Sequence, residues 1–168
     1  MNYFIEVVEV EESQKSILRQ LIELYEYDFS EFNDADLNEH GFYGYKYFDH
    51  YWTEEKRQAY FVKVDGQYAG FVLVNGHCYI VQDDNTRSIS EFFIMRKYRR
   101  KGIGERVANL VFDKHAGKWE VLQHGNNAAS QLFWRNTIHQ YTHGNYNEHD
   151  VTTEHWIGKG ITFKGNVR

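Results

Sequence analysis

The fold is decided by the stretch Glu91-Phe-Phe-Ile-Met-Arg-Lys-Tyr-Arg-Arg-Lys-Gly-Ile-Gly-Glu-Arg106. A short apolar run ends at Met95, a basic turn follows, and Gly102 and Gly104 open a segment with helical periodicity. The order strand, glycine turn, helix places a row of backbone N–H groups at a helix N-terminus, where anions bind well. Positive side chains surround this turn: Arg99, Arg100, Lys101 and Arg106. We therefore predict that a phosphate-bearing ligand binds here.

Length and composition limit the class of protein. The chain has 168 residues, which predicts a single domain over residues 1–168 with a substantial core. Its hydrophobic fraction of 42% and aromatic fraction of 17% exclude wholesale disorder. The net charge is -5, so the basic turn lies in an acidic background. That balance favours a small anionic ligand and disfavours nucleic acid as a partner.

Cysteine content and hydropathy indicate the compartment. Cys78 is the only cysteine, which rules out an intrachain disulfide and favours a reducing environment. The first residues are too polar for a signal peptide, and no apolar run has the length of a membrane span. We expect a cytoplasmic protein without a membrane partner.

The element order predicts a mixed α/β layer. A strand over 4–10 and a helix with apolar spacing from Ile17 to Tyr25 come first, and a short helix is expected around 49–58. Asp65-Gly66 between β-prone runs predicts a hairpin. Further strands are expected at 87–95, 119–122 and within 151–163, with helices at 104–115 and 127–139.

The glycine turn has the form Arg99-x-x-Gly102-x-Gly104. It lacks the Gly-Lys-Ser/Thr of a nucleotide P-loop and the third glycine of a dinucleotide-binding turn. It resembles the pyrophosphate loop of the GNAT superfamily of N-acetyltransferases, whose pattern is Arg/Gln-x-x-Gly-x-Gly/Ala. A second motif of that family, Asn-x-x-Ala-x-x-Phe-Tyr, is matched in part by Asn127, Ser130 and Phe133-Trp134. Asn126 with Ala129 fits the first half equally well, and Asn127 keeps Phe133-Trp134 in step.

The resemblance implies a GNAT-like fold: a mostly antiparallel central sheet, splayed at the strands that flank the cofactor, with helices on both faces. It also implies acetyl-CoA as co-substrate, with the pantetheine arm along the edge of the strand Phe92–Ile94. A backbone N–H near Ile94 would then polarise the thioester carbonyl. The cofactor-binding residues that it implies are Phe93, Ile94, Arg99, Arg100, Lys101, Gly102, Ile103, Gly104, Glu105, Asn127, Phe133 and Trp134.

Glu91 is the candidate base, because in a similar fold its strand borders the acyl group and partial burial would raise its pKa. A water chain is the alternative. Trp134 takes the place of a tyrosine that protonates the leaving thiolate in many members, and an indole N–H cannot do so. Tyr141 or Tyr146 could replace that acid, and Tyr141 is our candidate.

The segment from Glu31 to Asp49 is acidic and aromatic, and it matches the part of similar folds that covers the acceptor. Carboxylates among aromatic rings suit a cationic amine; a solvated loop is the alternative. His139 and His143 have the spacing of helical zinc ligands, but no third ligand completes a set, so no metal is expected.

The functional prediction is transfer of an acetyl group from acetyl-CoA to a primary amine of a small molecule, by direct transfer. The alternative is a catalytically silent acyl-CoA-binding sensor or partner module of the same fold. Dimers are common among similar proteins, so a homodimer is compatible with this interpretation.

Overall fold

The computed structural model describes residues 2–166. Its strands and longer helices are, in chain order, β1 (Ile5–Glu9), α1 (Lys15–Asn33), β2 (Gln58–Val64), β3 (Gln67–Asn75), β4 (Arg87–Ile94), α2 (Ile103–Phe112), β5 (Lys118–His124), α3 (Ala128–Thr142), β6 (Tyr146–Thr152) and β7 (Ile157–Lys164). Short 3-10 turns precede α1, β2 and α2.

The strands form one seven-stranded sheet in the order β1-β2-β3-β4-β5-β7-β6. Every neighbouring pair is antiparallel except β4 and β5, which run parallel. The parallel pair requires a crossover, and α2 supplies it. The predicted mixed, mostly antiparallel sheet is confirmed.

The two faces of the sheet carry separate hydrophobic clusters. On one face α1 contributes its apolar stripe, including Leu18 and Ile22, against Phe61 and Phe71. The other face is covered by α2 and α3, whose packing includes Val107 against the sheet. Alternation of side chains along each strand divides the apolar residues between the two clusters. Helices therefore lie on both faces, as predicted.

The β2–β3 hairpin has the turn that its sequence predicts. Asp65 and Gly66 both have positive φ, at 50° and 78°. Two left-handed residues in succession match the twist of the flanking strands, which is why Asp-Gly is favoured there.

Predicted boundaries differ from the structure in three places, and one of them is β6, which begins at Tyr146 and lies mostly before the predicted range of 151–163. Helix α1 extends through Phe32 into the acidic and aromatic segment, which the sequence predicts as a long loop or a broken helix, because Tyr25, Phe29 and Phe32 pack on one another at helical spacing. It ends at Asp34, which adopts a left-handed conformation. The expected helix around 49–58 is only the 3-10 turn Phe48–Trp52, and β2 already begins at Gln58.

No helix within residues 2–166 combines the length and apolar character needed to cross a membrane.

Candidate active site

Strands β4 and β5 separate soon after they begin to pair. Their register covers only Arg87 to Ile89 of β4. Beyond Ile89, β4 continues to pair with β3 on its other side, up to Ile94. The edge of β4 that faces β5 is therefore open over its second half, and the predicted splay of the sheet is confirmed.

A cavity of about 920 Å³ occupies the gap between the two strands. Its walls come from α1, the segment after α1, both separating strands and the start of α3, and they include Tyr25, Phe29, Tyr45, Glu91, His124 and Trp134. A space of this size accommodates a small organic substrate.

A β-bulge in β4 directs two polar side chains into this cavity. Glu91 pairs with Leu73 and Ile89 with Val74, so Ser90 has no partner across the ladder. The extra residue changes the alternation of side chains. Ser90 and Glu91 consequently both project toward the face of α1, where Ser90 Oγ lies 3.0 Å from the Tyr51 hydroxyl.

Two tyrosines hold the carboxylate of Glu91. The Tyr25 hydroxyl donates to Oε2, and the Tyr45 hydroxyl donates to Oε1 at 3.4 Å. Burial raises the pKa of Glu91 to about 8, assisted by the charge of Glu26 and opposed by the two tyrosine hydrogen bonds. Burial, followed by the charge of Glu91, raises the pKa of the Tyr25 hydroxyl, so Tyr25 remains a donor. A carboxylate with such a pKa can accept a proton near neutral pH.

The glycine turn presents unused backbone N–H groups. Arg100 and Gly102 have φ of 59° and 71°, and α2 begins directly after them. Among residues 2–166, no acceptor receives a hydrogen bond from the amides of residues 100–105, and no side chain caps α2. The first amide of the helix with a partner is that of Arg106, bonded to Gly102 O at 3.4 Å. Such a helix terminus attracts an anion.

The second half of β4 offers N–H groups to the gap. The Met95 N–H donates to Ala69 O on β3 at 2.8 Å. Because successive N–H groups of a strand point to opposite edges, those of Ile94 and Phe92 point toward the open edge. They lie between the glycine turn and Glu91 along the same strand.

A sequence model of the acetyltransferase (GNAT) family matches residues 18–137, which is most of the chain. The chain belongs to this family. The predicted resemblance is thereby confirmed, and the match includes the glycine turn, β4 and most of α3. No curated protein matches the chain at the level of sequence.

Solved structures share the fold of this GNAT protein at low sequence identity. An acetyltransferase from Thermus thermophilus is similar with a TM-score of 0.69 and 10% identity, over 95% of this chain and 96% of that one. The spermidine N-acetyltransferase of Vibrio cholerae, in complex with CoA and spermine, has a TM-score of 0.61 and 12% identity over 96% and 95% of the chains. The aminoglycoside acetyltransferase AAC(6')-Ib, in complex with coenzyme A, has a TM-score of 0.67 and 12% identity over 96% and 95% of the chains.

The residues predicted from the second GNAT motif lie on the first turns of α3. Asn127 is the N-cap, and its side chain accepts from Ser130 N at 3.0 Å, so Asn127 and not Asn126 begins the helix. The ring of Phe133 packs closely against Gly104 of the glycine turn. A Cβ added to Gly104 would lie only 3.2 Å from the ring. Trp134 is buried against Phe92, with ring centroids 4.9 Å apart, and lines the cavity.

Arg99 has a different partner from the predicted anion. Its Nε donates to Ile94 O at 2.7 Å and its Nη2 to Asp28 Oδ2 at 2.5 Å. Burial alone would raise the pKa of Asp28, but hydrogen bonds from Arg96 and Arg99 lower it. Arg99 thus ties the end of β4 to α1. The neighbours Arg100 and Lys101 remain beside the free amides, and both are exposed.

Tyr141 does not lie near the cavity, so our expectation for it is not supported. Its ring packs between Phe112 and Phe163 on the far side of the core. Its hydroxyl donates to Asp113 Oδ1 at 3.0 Å and accepts from Asn166 N. Tyr141 was a candidate general acid because of its residue type alone. Its position on α3 directs the side chain into the core instead.

The segment from Glu31 to Asp49 is divided in its roles. Tyr45, Tyr47 and Asp34 line the cavity. The remaining carboxylates of the segment do not line it: these are Glu31, Asp36, Glu39 and Asp49. The aromatic part of the prediction therefore describes the cavity wall better than the acidic part.

Sequence reasoning missed Tyr25 as a partner of Glu91. Its helical spacing with Leu18, Leu21 and Ile22 indicated only a core position. The hydroxyl could have been noticed as a polar tip at the end of an apolar stripe, but nothing local connects it with a residue 66 positions away.

Among residues 2–166, no group of three or more histidine, cysteine or acidic side chains is placed to hold a metal ion.

Proposed function

We propose that this GNAT protein transfers an acetyl group from acetyl-CoA directly to a primary amine of a small molecule. One observation carries the proposal: Glu91, with its raised pKa, lies in the cavity at the split between β4 and β5. The same strand leads to the free amides of the glycine turn. Base and anion site are thus joined by an open strand edge.

The amides of residues 100–105 would bind the pyrophosphate of acetyl-CoA. Each charge–dipole contact at a helix N-terminus contributes about 0.3–1 kcal/mol, so several must act together. At Gly102, no heavy atom of residues 2–166 beyond Gly102 and its two chain neighbours lies within 4 Å of the position that a Cβ would occupy, which leaves its surface open to a ligand. The close packing of Gly104 on Phe133 and Ile94 fixes the turn beneath it.

The open edge of β4 would hold the pantetheine arm, as a sheet edge holds an added strand. The N–H groups of Ile94 and Phe92 face this edge. A donor there stabilises the oxyanion that forms when the amine attacks the thioester carbonyl.

Glu91 would take the proton of the attacking amine. The amine nitrogen bonds to the carbonyl carbon, the carbon–sulfur bond breaks, and the amine proton passes to the carboxylate. Tyr25 and Tyr45 keep that carboxylate in place during the transfer. Glu91 must be ionised to act, so activity should rise with pH and level off above about 8.

A second candidate function is acyl-CoA binding without catalysis. The observation that favours it is Trp134, whose indole N–H cannot protonate a thiolate, at the position of the usual tyrosine. Under the enzymatic proposal the thiolate of CoA leaves as an anion and takes a proton from water.

The test is release of free thiol from acetyl-CoA in the presence of polyamines, aminoglycosides and amino acids. Amine-dependent release supports the enzyme. Tight acetyl-CoA binding with no release from any amine supports the silent module.

The anion site has its own test in Gly102→Glu. We expect at least about tenfold weaker binding of acetyl-CoA, because a carboxylate would face the diphosphate. Gly41→Glu is the matched control, since Gly41 has a similar φ of 79° and equally open surroundings. Equal affinities in the two variants would show that the diphosphate binds elsewhere.

A further inference from the structure

The cavity has a second charged end, formed by Arg57. This residue directly precedes β2, lines the cavity and is only 6% exposed. The carboxylates that line the cavity are Glu91 and Asp34. Asp34 lies at the end of α1, where Asn126 Nδ2 donates to Phe32 O, on the side of β5.

Arg57 is held so that part of its guanidinium stays available. Its Nε donates to Glu54 Oε2 at 2.5 Å. The guanidinium carbon lies 5.0 Å from the ring centre of Tyr47 and 5.5 Å from that of Tyr51. Within residues 2–166 the bond to Glu54 is the one hydrogen bond of this guanidinium with good geometry, and the Tyr51 hydroxyl is a further, weaker partner beside it. Glu54 balances the charge at the Nε edge, and the Nη groups can still donate to a carboxylate that enters the cavity.

Glu54 does not complete the environment of Arg57. Its carboxylate is shared with His50, at 3.2 Å between Oε1 and Nδ1, and its side chain is 44% exposed. Glu54 therefore approaches the Nε edge from the solvent side. It is not among the residues that line the cavity.

Other donors accompany Arg57 at this end. Asn75 is nearly buried, and its Oδ1 accepts from His77 N at 3.1 Å, which leaves its amide N–H₂ for the cavity. Ser88, also buried, lines the cavity beside it. A group of donors around a guanidinium matches a carboxylate, which accepts two parallel hydrogen bonds from the arginine fork.

We propose that the acceptor carries a carboxylate that binds Arg57 while its amine lies at Glu91. This inference rests on the amine acetylation proposed above and names its substrate class. The Tyr51 ring lies between the two ends, with Arg57 over its face and its hydroxyl on Ser90, the neighbour of Glu91. The amine and the carboxylate are therefore separated by several bonds, as in an ω-amino acid or the side chain of a free lysine.

The experiment compares matched pairs of acceptors. Straight-chain ω-amino acids of graded length are assayed for thiol release from acetyl-CoA against the corresponding ω-amino amides, which keep the length and lose the charge. We expect the best acid to exceed its amide roughly tenfold or more in kcat/KM, mainly through KM, because a charged bidentate pair is lost. In Arg57→Gln the acid-to-amide ratio should fall close to one, with Arg57→Lys between.

Arg135→Gln is the control variant. Arg135 is an exposed residue of α3 that pairs with Glu148 at 2.7 Å, and it does not line the cavity. Its acid-to-amide ratio should equal that of the unchanged protein. Because the readout is a ratio within one variant, partial loss of folded protein does not alter it.

The outcomes separate the two proposals. Turnover of amines with no preference for the acids, or a preference for spermine over every acid, overturns the carboxylate subsite and leaves the acetyltransferase. A preference for acids that survives Arg57→Gln also overturns it. Absence of turnover with every amine overturns both proposals.

Discussion

The glycine turn and the group around Glu91 are built in opposite ways. The turn takes its amides from consecutive residues, so its geometry is a local consequence of Gly102, Gly104 and the helix start. The carboxylate group joins Glu91 to Tyr25 and Tyr45, which are 66 and 46 positions away. A site built from consecutive residues can be predicted from the sequence. A site built from distant residues can be recognised only when the positions of the sheet and of α1 are known.

The largest effect is expected at the assembled group. Glu91→Gln should reduce kcat about 10²–10⁴-fold and abolish the rise of activity with pH, because the amide cannot accept the proton. The measurement is kcat across a pH series, with acetyl-CoA affinity determined separately. If kcat and its pH profile stay unchanged, deprotonation proceeds through water and not through Glu91.

Most of the fold was accessible from the sequence because its signals are local. The Asp65-Gly66 hairpin, the glycine turn and the order of elements each depend on neighbouring residues. The place of Tyr141 was not accessible, because the direction of its side chain depends on how α3 packs against Phe112 and Phe163. The motif predicted that Arg99 binds an anion. Its partner is instead Asp28 on α1, 71 positions away, and no pattern in the sequence connects the two residues.

A second assembled group should affect stability and substrate binding together. Glu120 is fully buried, and its carboxylate accepts from the amides of Tyr79, Ile80 and Val81 at 2.7, 2.7 and 3.0 Å. This fixes the loop between β3 and β4, through which Tyr79 reaches the cavity. Glu120→Gln should lower the free energy of unfolding by about 1–3 kcal/mol, because an amide group replaces one acceptor.

The kinetic consequence of Glu120→Gln distinguishes positioning from general stability. We expect a higher KM for the amine with little change in the KM for acetyl-CoA, because the loop lines the cavity through His77 and Tyr79 and does not include the glycine turn. Glu148→Gln on β6 is the control, since its exposed pair with Arg135 contributes little. A lower apparent kcat with both KM values unchanged would mean that Glu120 acts only through overall stability.

A smaller effect, on the pH profile alone, is expected at Tyr25. Its hydroxyl lowers the pKa of Glu91 by stabilising the ionised form. In Tyr25→Phe the pKa of Glu91 should be higher, so the rise in activity should move to higher pH. Tyr68→Phe removes a hydroxyl on β3 that does not line the cavity and should leave the midpoint in place. A midpoint that moves downward in Tyr25→Phe would contradict the assigned hydrogen bond.

The smallest effect, on the free energy of unfolding, is expected at the N-cap of α3. Asn127→Ala should lower the free energy of unfolding by about 1 kcal/mol, because the N-cap that accepts from Ser130 N is lost. Asn126→Ala should change it by less than about 0.5 kcal/mol, since that exposed side chain has only a long contact with Phe32 O. Denaturant unfolding measures both.

Asn127→Ser retains a capping oxygen, so weaker acetyl-CoA binding in this variant at unchanged stability would assign Asn127 a contact with the cofactor. Equal losses in the two alanine variants would instead remove the reason to begin the second motif at Asn127.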